Sequence, residues 1–275
     1  MKKVDNLVEL QRINLKILEA MYKICNENKI RLYLLGGTLL GAVRHKGFIP
    51  WDDDVDVSMT RTDYERLKKI MASKKQNEFI LIDPEEDKKF RGYIPIFAYN
   101  NSKMISKQYR IQEELKLGIS IFIYDGITEN RFFQWLYLKK MYFLRSCHAL
   151  CRANFKYVNT NIAKLVGPIL QPFFSLHDVY KYKAKILSYQ KKYDYKVAKY
   201  VAPNADAGAK KETVLKSVYE DAKEIEFEGI KCLVPSNYLE HLEKYYGNFM
   251  ELPPEDERIP KHSFSIWVDD EVLKK

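Results

Sequence analysis

Gly36-Gly37-Thr38 lies sixteen residues ahead of Asp54 in the run Asp52-Asp53-Asp54-Val55-Asp56. Side chains alternate along a strand, so Asp54 and Asp56, with Asp52 as a neighbouring carboxylate, are expected on one side while Val55 and Val57 pack on the other. Carboxylates crowded on one face repel each other, and a divalent cation among them removes that repulsion. Hard oxygen ligands of this kind suit Mg²⁺ or Mn²⁺. The competing reading is a solvated acidic turn. Gly36 and Gly37 lack side chains, which lets backbone N–H groups approach an anion at a helix N-terminus. A Gly-Gly pair alone is commonly only a tight turn, and neither a Walker nor a dinucleotide glycine pattern is present. Taken together, the two motifs match an arrangement in which phosphates bridge a glycine-flanked Thr38 and a metal.

The elements around these motifs follow from apolar spacing. Leu7, Leu10, Ile13, Ile17, Met21 and Ile24 recur at three- and four-residue steps, predicting an amphipathic helix over 4–27. A strand over Ile30–Leu35 stops at the glycines, and a short helix begins at Thr38. A second strand spans Asp54–Met59, and Thr62 with Glu65 has capping-box spacing for a helix to Ser73. Phe79–Ile82, Tyr93–Tyr99 and Ile119–Tyr124 read as further strands, giving the first half an α/β or α+β character around a mixed sheet. Beyond Glu129 the pattern turns helical, with Val179, Tyr182, Ile186, Tyr189, Tyr193, Val197 and Tyr200 marking one face. Ala202–Lys211, rich in small and polar residues, reads as an exposed, mobile loop.

Composition excludes several classes. At 275 residues, 46% hydrophobic and 30% charged, the chain can bury a sizeable core and is not disordered. Its longest apolar stretch, Leu165–Leu176, is interrupted by Gly167, Pro168 and Pro172 and is too short to span a bilayer. The N-terminus lacks the features of a secretory signal, so a cytoplasmic location is expected. Four cysteines form no disulfide framework, and Cys147-His148-x-x-Cys151 is read as buried helix thiols rather than a zinc site. Of the net charge of +9, residues 131–200 carry +12, from 14 Lys/Arg against Asp178 and Asp194. That concentration disfavours a uniform nucleic-acid-binding coat. The Lys/Tyr-rich stretch at 178–200 has the commonplace reading of a solvated helix face, and with Phe173-Phe174 nearby it also fits peripheral docking on an anionic membrane.

The run from Gly36 through His45 and Trp51 to Asp56 resembles the signature of the LicD family, which includes bacterial phosphocholine transferases and fukutin-related ribitol-phosphate transferases. Phe227-Glu228-Gly229, Val234-Pro235, Tyr246-Gly247-Asn248-Phe249 and Arg258 with His262 are similar to its C-terminal block. The resemblance implies an α+β fold with a nucleotidyltransferase-like mixed sheet. It further implies a catalytic core over 1–129, a basic, mainly helical region over 130–211, and a block over 212–275 completing the site. The implied reaction takes a phospho-alcohol from a CDP-linked donor to a hydroxyl of a glycan or lipid-linked glycan acceptor, releasing CMP. Carried over by position, Asp54 and Asp56 are metal ligands, Asp52 is a neighbouring carboxylate, and Gly36, Gly37 and Thr38 hold phosphates. Arg44, His45, Arg258 and His262 are implied donor or acceptor contacts. One departure stands out: the family's further acidic strand residue is replaced by Ser120, with Asp125 the nearest carboxylate. Two other readings follow, namely transfer of the nucleotide itself, or a weakened glycan- or membrane-binding subunit. Choline, ethanolamine, glycerol and ribitol all remain open as the donor alcohol.

Overall fold

The computed structural model describes residues 1–73, 78–157, 161–175, 178–260 and 264–269. The chain runs β1 (Lys2–Lys3), α1 (Leu7–Glu27), β2 (Tyr33–Leu34), α2 (Gly36–His45), β3 (Asp56–Thr60), α3 (Arg61–Ser73), β4 (Phe79–Ile82), β5 (Ile96–Tyr99), β6 (Ser102–Ser106), β7 (Glu114–Leu115) and β8 (Gly118–Ile127). It continues through α4 (Arg131–Arg152), α5 (Asn161–Ser175), α6 (Val179–Gln190), β9 (Tyr200–Ala202), β10 (Val214–Leu215), α7 (Ser217–Glu220), β11 (Lys223–Phe227), β12 (Ile230–Val234), α8 (Tyr238–Tyr246) and β13 (Phe264–Val268). The fold is α+β, as expected.

The main sheet has the order β10-β9-β8-β3-β2-β12-β11, with β5 also paired to β8 and β4 to β5. It is mixed, because β3 runs parallel to β8 and β12 parallel to β2 while the remaining pairs are antiparallel. Val57, Met59, Ile119 and Ile121 share a core with Ile13, Ile17, Leu18 and Met21 of α1. Each such fully buried side chain contributes about 2 kcal/mol relative to exposure, so the apolar stripe of α1 fixes that helix against the sheet. A small antiparallel sheet, β1-β13-β6-β7, closes one side.

Several local expectations shift. Regular pairing of the aspartate strand begins at Asp56, so Asp52–Val55 form an irregular approach to it and strict alternation does not govern them. Helix α3 is capped two residues earlier than the sequence reading: the Asp63 N–H donates to Thr60 Oγ1 at 3.2 Å and the Thr60 hydroxyl donates to the Asp63 carboxylate at 3.1 Å. Thr60 and Asp63 thus take the capping role assigned to Thr62 and Glu65, with the return bond running from the Thr60 hydroxyl rather than from its backbone N–H.

The tyrosine stripe does not continue as a helix to Tyr200. α6 ends at Gln190, where the Tyr137 hydroxyl donates to the Tyr189 carbonyl at 3.0 Å and Asn204 Nδ2 to the Gln190 carbonyl at 3.2 Å. Tyr193 then bridges to Gly126 on the sheet. The stretch 202–211 is not an exposed loop either. Asn204 is fully buried and also donates to the Gly126 carbonyl, while Ala202 and Ala209 are buried too. Its small residues permit close backbone packing, which from sequence alone looks like loop composition. Past Lys199 the chain returns to strand, and the β11–β12 hairpin joins the main sheet where Leu233 pairs with Tyr33. All four cysteines are buried free thiols.

Candidate active site

The site assembles where α2 begins. Leu35 N–H donates to the Asp56 carbonyl at 3.1 Å, and Asp56 N–H donates to Thr38 Oγ1 at 3.0 Å. These two bonds stitch the start of β3 onto the first turn of α2. Thr38 is buried, and its hydroxyl oxygen holds the strand in place.

The glycines create room for carboxylates. A Cβ on Gly37 would sit 2.7 Å from Asp52 Oδ2, and one on Gly36 would sit 3.6 Å from Asp56 Oδ2. Gly36 has φ +57°, a left-handed conformation that a side chain disfavours. Asp52 and Asp56 therefore lie against the N-terminal turn of a helix, whose dipole and free N–H groups favour negative charge. Asp52, Asp53 and Asp54 each bring a carboxylate oxygen within 4.8 Å of the others. The set includes Asp53, which strand alternation had left out.

Helix α1 fixes the acidic loop with two polar residues. Gln11 Nε2 donates to the carbonyls of Ile49 at 3.1 Å and Asp52 at 2.8 Å, and Asn14 Nδ2 donates to the Asp53 carbonyl at 3.3 Å. In the sequence these positions only interrupt an apolar stripe, and nothing there signals their partners.

Burial, and then the charges of Asp54 and Asp52, push the Asp56 carboxyl well above the ordinary carboxylate range. Asp206 and Glu212 add to the same field, so segment 203–212 brings two further acids towards the cluster. Glu212 is buried, accepts from the Tyr124 hydroxyl at 2.8 Å, and is raised to about 7 by burial and by Asp206. Burial, then Asp206 and Glu212, also raise Tyr245, which sets α8 beside the acidic group.

Ser120 lies opposite Asp56 in the parallel β3–β8 register, the position where the sequence reading places the absent acid. Asp125 is engaged elsewhere. Arg61 Nε and Nη2 donate to its two carboxylate oxygens at 2.7 Å each, with the Asp125 side chain 3% exposed.

His45 and Arg258 come together around Trp51, and Arg44 Nε donates to His45 Nδ1 at 3.4 Å. The His45 ring meets Trp51 edge-on at 6.2 Å, and the Arg258 guanidinium lies over it at 5.8 Å. Arg44 Nη1 donates to the Phe249 and Glu251 carbonyls at 3.0 Å each, clasping the C-terminal block to the end of α2. His262 lies outside the described residues.

A cavity of about 510 Å³ opens beside the cluster, lined by Asp53, Asp54 and Ser120 and walled by Phe90, Tyr93 and Phe264. Its size suits a small ligand. The donor set of hard carboxylate oxygens, crowded against a glycine-cleared helix terminus, fits a divalent cation.

Comparison with known proteins places this geometry. The chain is 29% identical to the lipopolysaccharide cholinephosphotransferase LicD of Haemophilus influenzae, over 98% of this chain and 100% of that relative. Uncharacterized proteins of Rickettsia prowazekii and Rickettsia typhi are each 36% identical over 22% of this chain, covering 23% and 20% of their own lengths. The model for the LicD/FKTN/FKRP nucleotidyltransferase domain matches residues 29–162, which takes in α2, the aspartate run and β8. Over residues 29–162 the chain is accordingly similar to the nucleotidyltransferase domain of the LicD family.

Proposed function

We propose that the protein transfers phosphocholine from a CDP-linked donor to a hydroxyl of a lipopolysaccharide-type glycan precursor at the cytoplasmic face of the membrane, releasing CMP. The observation that carries this reading is the acidic cluster against the first turn of α2, opening onto an aromatic-walled cavity. The full-length likeness to a cholinephosphotransferase supports the choice of alcohol. Phe90, Tyr93 and Phe264 suit a quaternary ammonium, which favours aromatic faces. A neutral polyol does not gain that interaction.

Asp54 and Asp56, with Asp52 and Asp53 beside them, would hold Mg²⁺ or Mn²⁺. The chemistry supplied by a bound cation is neutralisation of the donor's diphosphate. The free N–H groups of the first turn of α2 lie where they can orient a phosphate, and Gly36 and Gly37 keep that approach clear. One carboxylate of the cluster takes the proton of the attacking hydroxyl. A new P–O bond to the acceptor forms as the bond to CMP breaks, so positioning and electrostatics carry most of the acceleration. Arg258 and His45, gathered on Trp51 next to Asp52 in the chain, are the proposed contacts for donor or acceptor.

Product identity tests the reading. Incubation with CDP-choline, Mg²⁺ and a truncated lipopolysaccharide acceptor is expected to yield CMP and a phosphocholine-bearing glycan, both resolved by phosphorus NMR. Pyrophosphate release from CTP, with the nucleotide joined to the acceptor, would contradict it and establish nucleotidyl transfer.

A further inference from the structure

We propose that helices α4 and α5 form a foot that seats the chain on an anionic bilayer. Helix α5 is turned inside out relative to an ordinary surface helix. Leu165 is 72% and Ile169 65% exposed, with Val166 and Leu170 also exposed beside them. The polar Gln171 instead faces the protein, its Nε2 donating to the Leu150 carbonyl at 3.2 Å and the Ala153 carbonyl at 2.8 Å. Gly167 is buried against the Phe155 ring.

Helix α4 adds a second stripe. It buries Tyr137, Met141, Leu144, His148 and Cys151 and leaves Phe132, Trp135, Leu136, Tyr142 and Phe143 exposed. Four of these, Phe132, Trp135, Leu136 and Phe143, follow helical spacing, and the exposed Lys139 falls in the same stripe. The Phe132 and Trp135 rings stack at 6.3 Å. Aromatic rings interleaved with lysines are the chemistry of a lipid headgroup interface, where rings enter the acyl boundary and ammonium groups reach back to phosphates.

Charge selects the occupant. Residues 131–177 contain seven Lys/Arg and no Asp or Glu, and although Arg152 pairs with Glu113 and Arg145 donates to the Asp206 carbonyl, the other five are exposed. A second copy of the chain would set like charge against like, whereas an anionic lipid surface complements it. Helix α5, at 15 residues with Pro168 and Pro172 inside, spans about 22 Å against a hydrocarbon core of about 30 Å. Among the described residues no helix is long and apolar enough to cross a membrane. The helix therefore lies along the interface. This docking rests on surface composition alone and stands apart from the transfer chemistry.

Vesicle co-sedimentation of the full chain tests the inference, using phosphatidylcholine alone and phosphatidylcholine mixed with phosphatidylglycerol. Binding is expected on the anionic vesicles, weakening with salt, together with a blue shift of emission that Trp135→Phe removes. Lys139→Gln should weaken binding about fivefold. The pairs Leu165→Glu/Ile169→Glu and Phe132→Glu/Phe143→Glu should abolish it with the melting temperature unchanged, since all four residues are exposed. Equal binding to neutral vesicles, absence of binding to either, or a solution dimer dissolved by the same glutamates would overturn the proposal.

Discussion

Asp56→Asn is expected to melt above the parent chain in the absence of divalent cation and to lose the stabilisation that Mg²⁺ gives the parent. Asparagine keeps the shape that fits beside Gly36 while removing one charge from a group where Asp52, Asp54, Asp206 and Glu212 all oppose it. Burial makes that crowding costly, because water does not screen it. On the proposed reading a cation would offset the repulsion in the parent and, by binding only the folded state, would raise its stability. Transfer should fall roughly 10²–10³-fold, the scale for losing one preorganised electrostatic contact. Ser120→Asp, opposite Asp56 in the sheet register, is the complementary change. It adds a carboxylate to the same face and should preserve or tighten Mg²⁺ binding. Calorimetric melts across a Mg²⁺ series check both variants, and an Asp56→Asn protein that keeps the parent's Mg²⁺ response and turnover would remove Asp56 from the site.

Asp125→Asn is expected to separate stability from catalysis in the opposite sense. Its carboxylate pairs through two short bonds with an Arg61 side chain that is only 14% exposed. Breaking the pair on one side leaves the Arg61 guanidinium with the 40% exposed Glu65, 3.3 Å away, in place of its buried partner. The loss should be about 3 kcal/mol, or roughly 10 °C in melting temperature for a chain of this size. The Mg²⁺-induced rise should survive intact, because Asp125 is committed to Arg61 rather than to the acidic cluster. A variant that melts like the parent yet no longer responds to Mg²⁺ would instead make Asp125 the substitute for the acid absent at residue 120.

The contrast between these two aspartates also shows how far the sequence reaches. Spacing alone brought Gly36-Gly37 and the Asp run to one place, since a strand that stops at glycines before a helix leaves few other geometries. Ser120 and Asp125, five residues apart on β8, fall on opposite faces by strand alternation. Alternation failed at Asp52–Val55 because regular pairing starts only at Asp56, and so Asp53 was overlooked. Gln11 and Asn14 were invisible for a different reason: their partners are backbone carbonyls some forty residues away, and a polar break in an apolar stripe does not name them. Asp206 and Glu212 were hidden by composition, as alanine and glycine that allow close packing look the same as those that permit looseness. Arg44 was expected at an anion, yet its guanidinium donates to the carbonyls of Phe249 and Glu251. That long-range clasp explains why the C-terminal block sits beside α2, and no local signal announces it.

The central claim is that the acidic cluster and the first turn of α2 receive a cation together with the diphosphate of a CDP-linked alcohol. The most direct measurement is the melting temperature of the full chain with CDP-choline, CMP or CTP, each with and without Mg²⁺. CDP-choline with Mg²⁺ should raise it well beyond the sum of the two separate increments, since cation and diphosphate bind as one, and Asp54→Asn should abolish the excess. A shift by CDP-choline that is independent of Mg²⁺ and unchanged in Asp54→Asn would contradict the account.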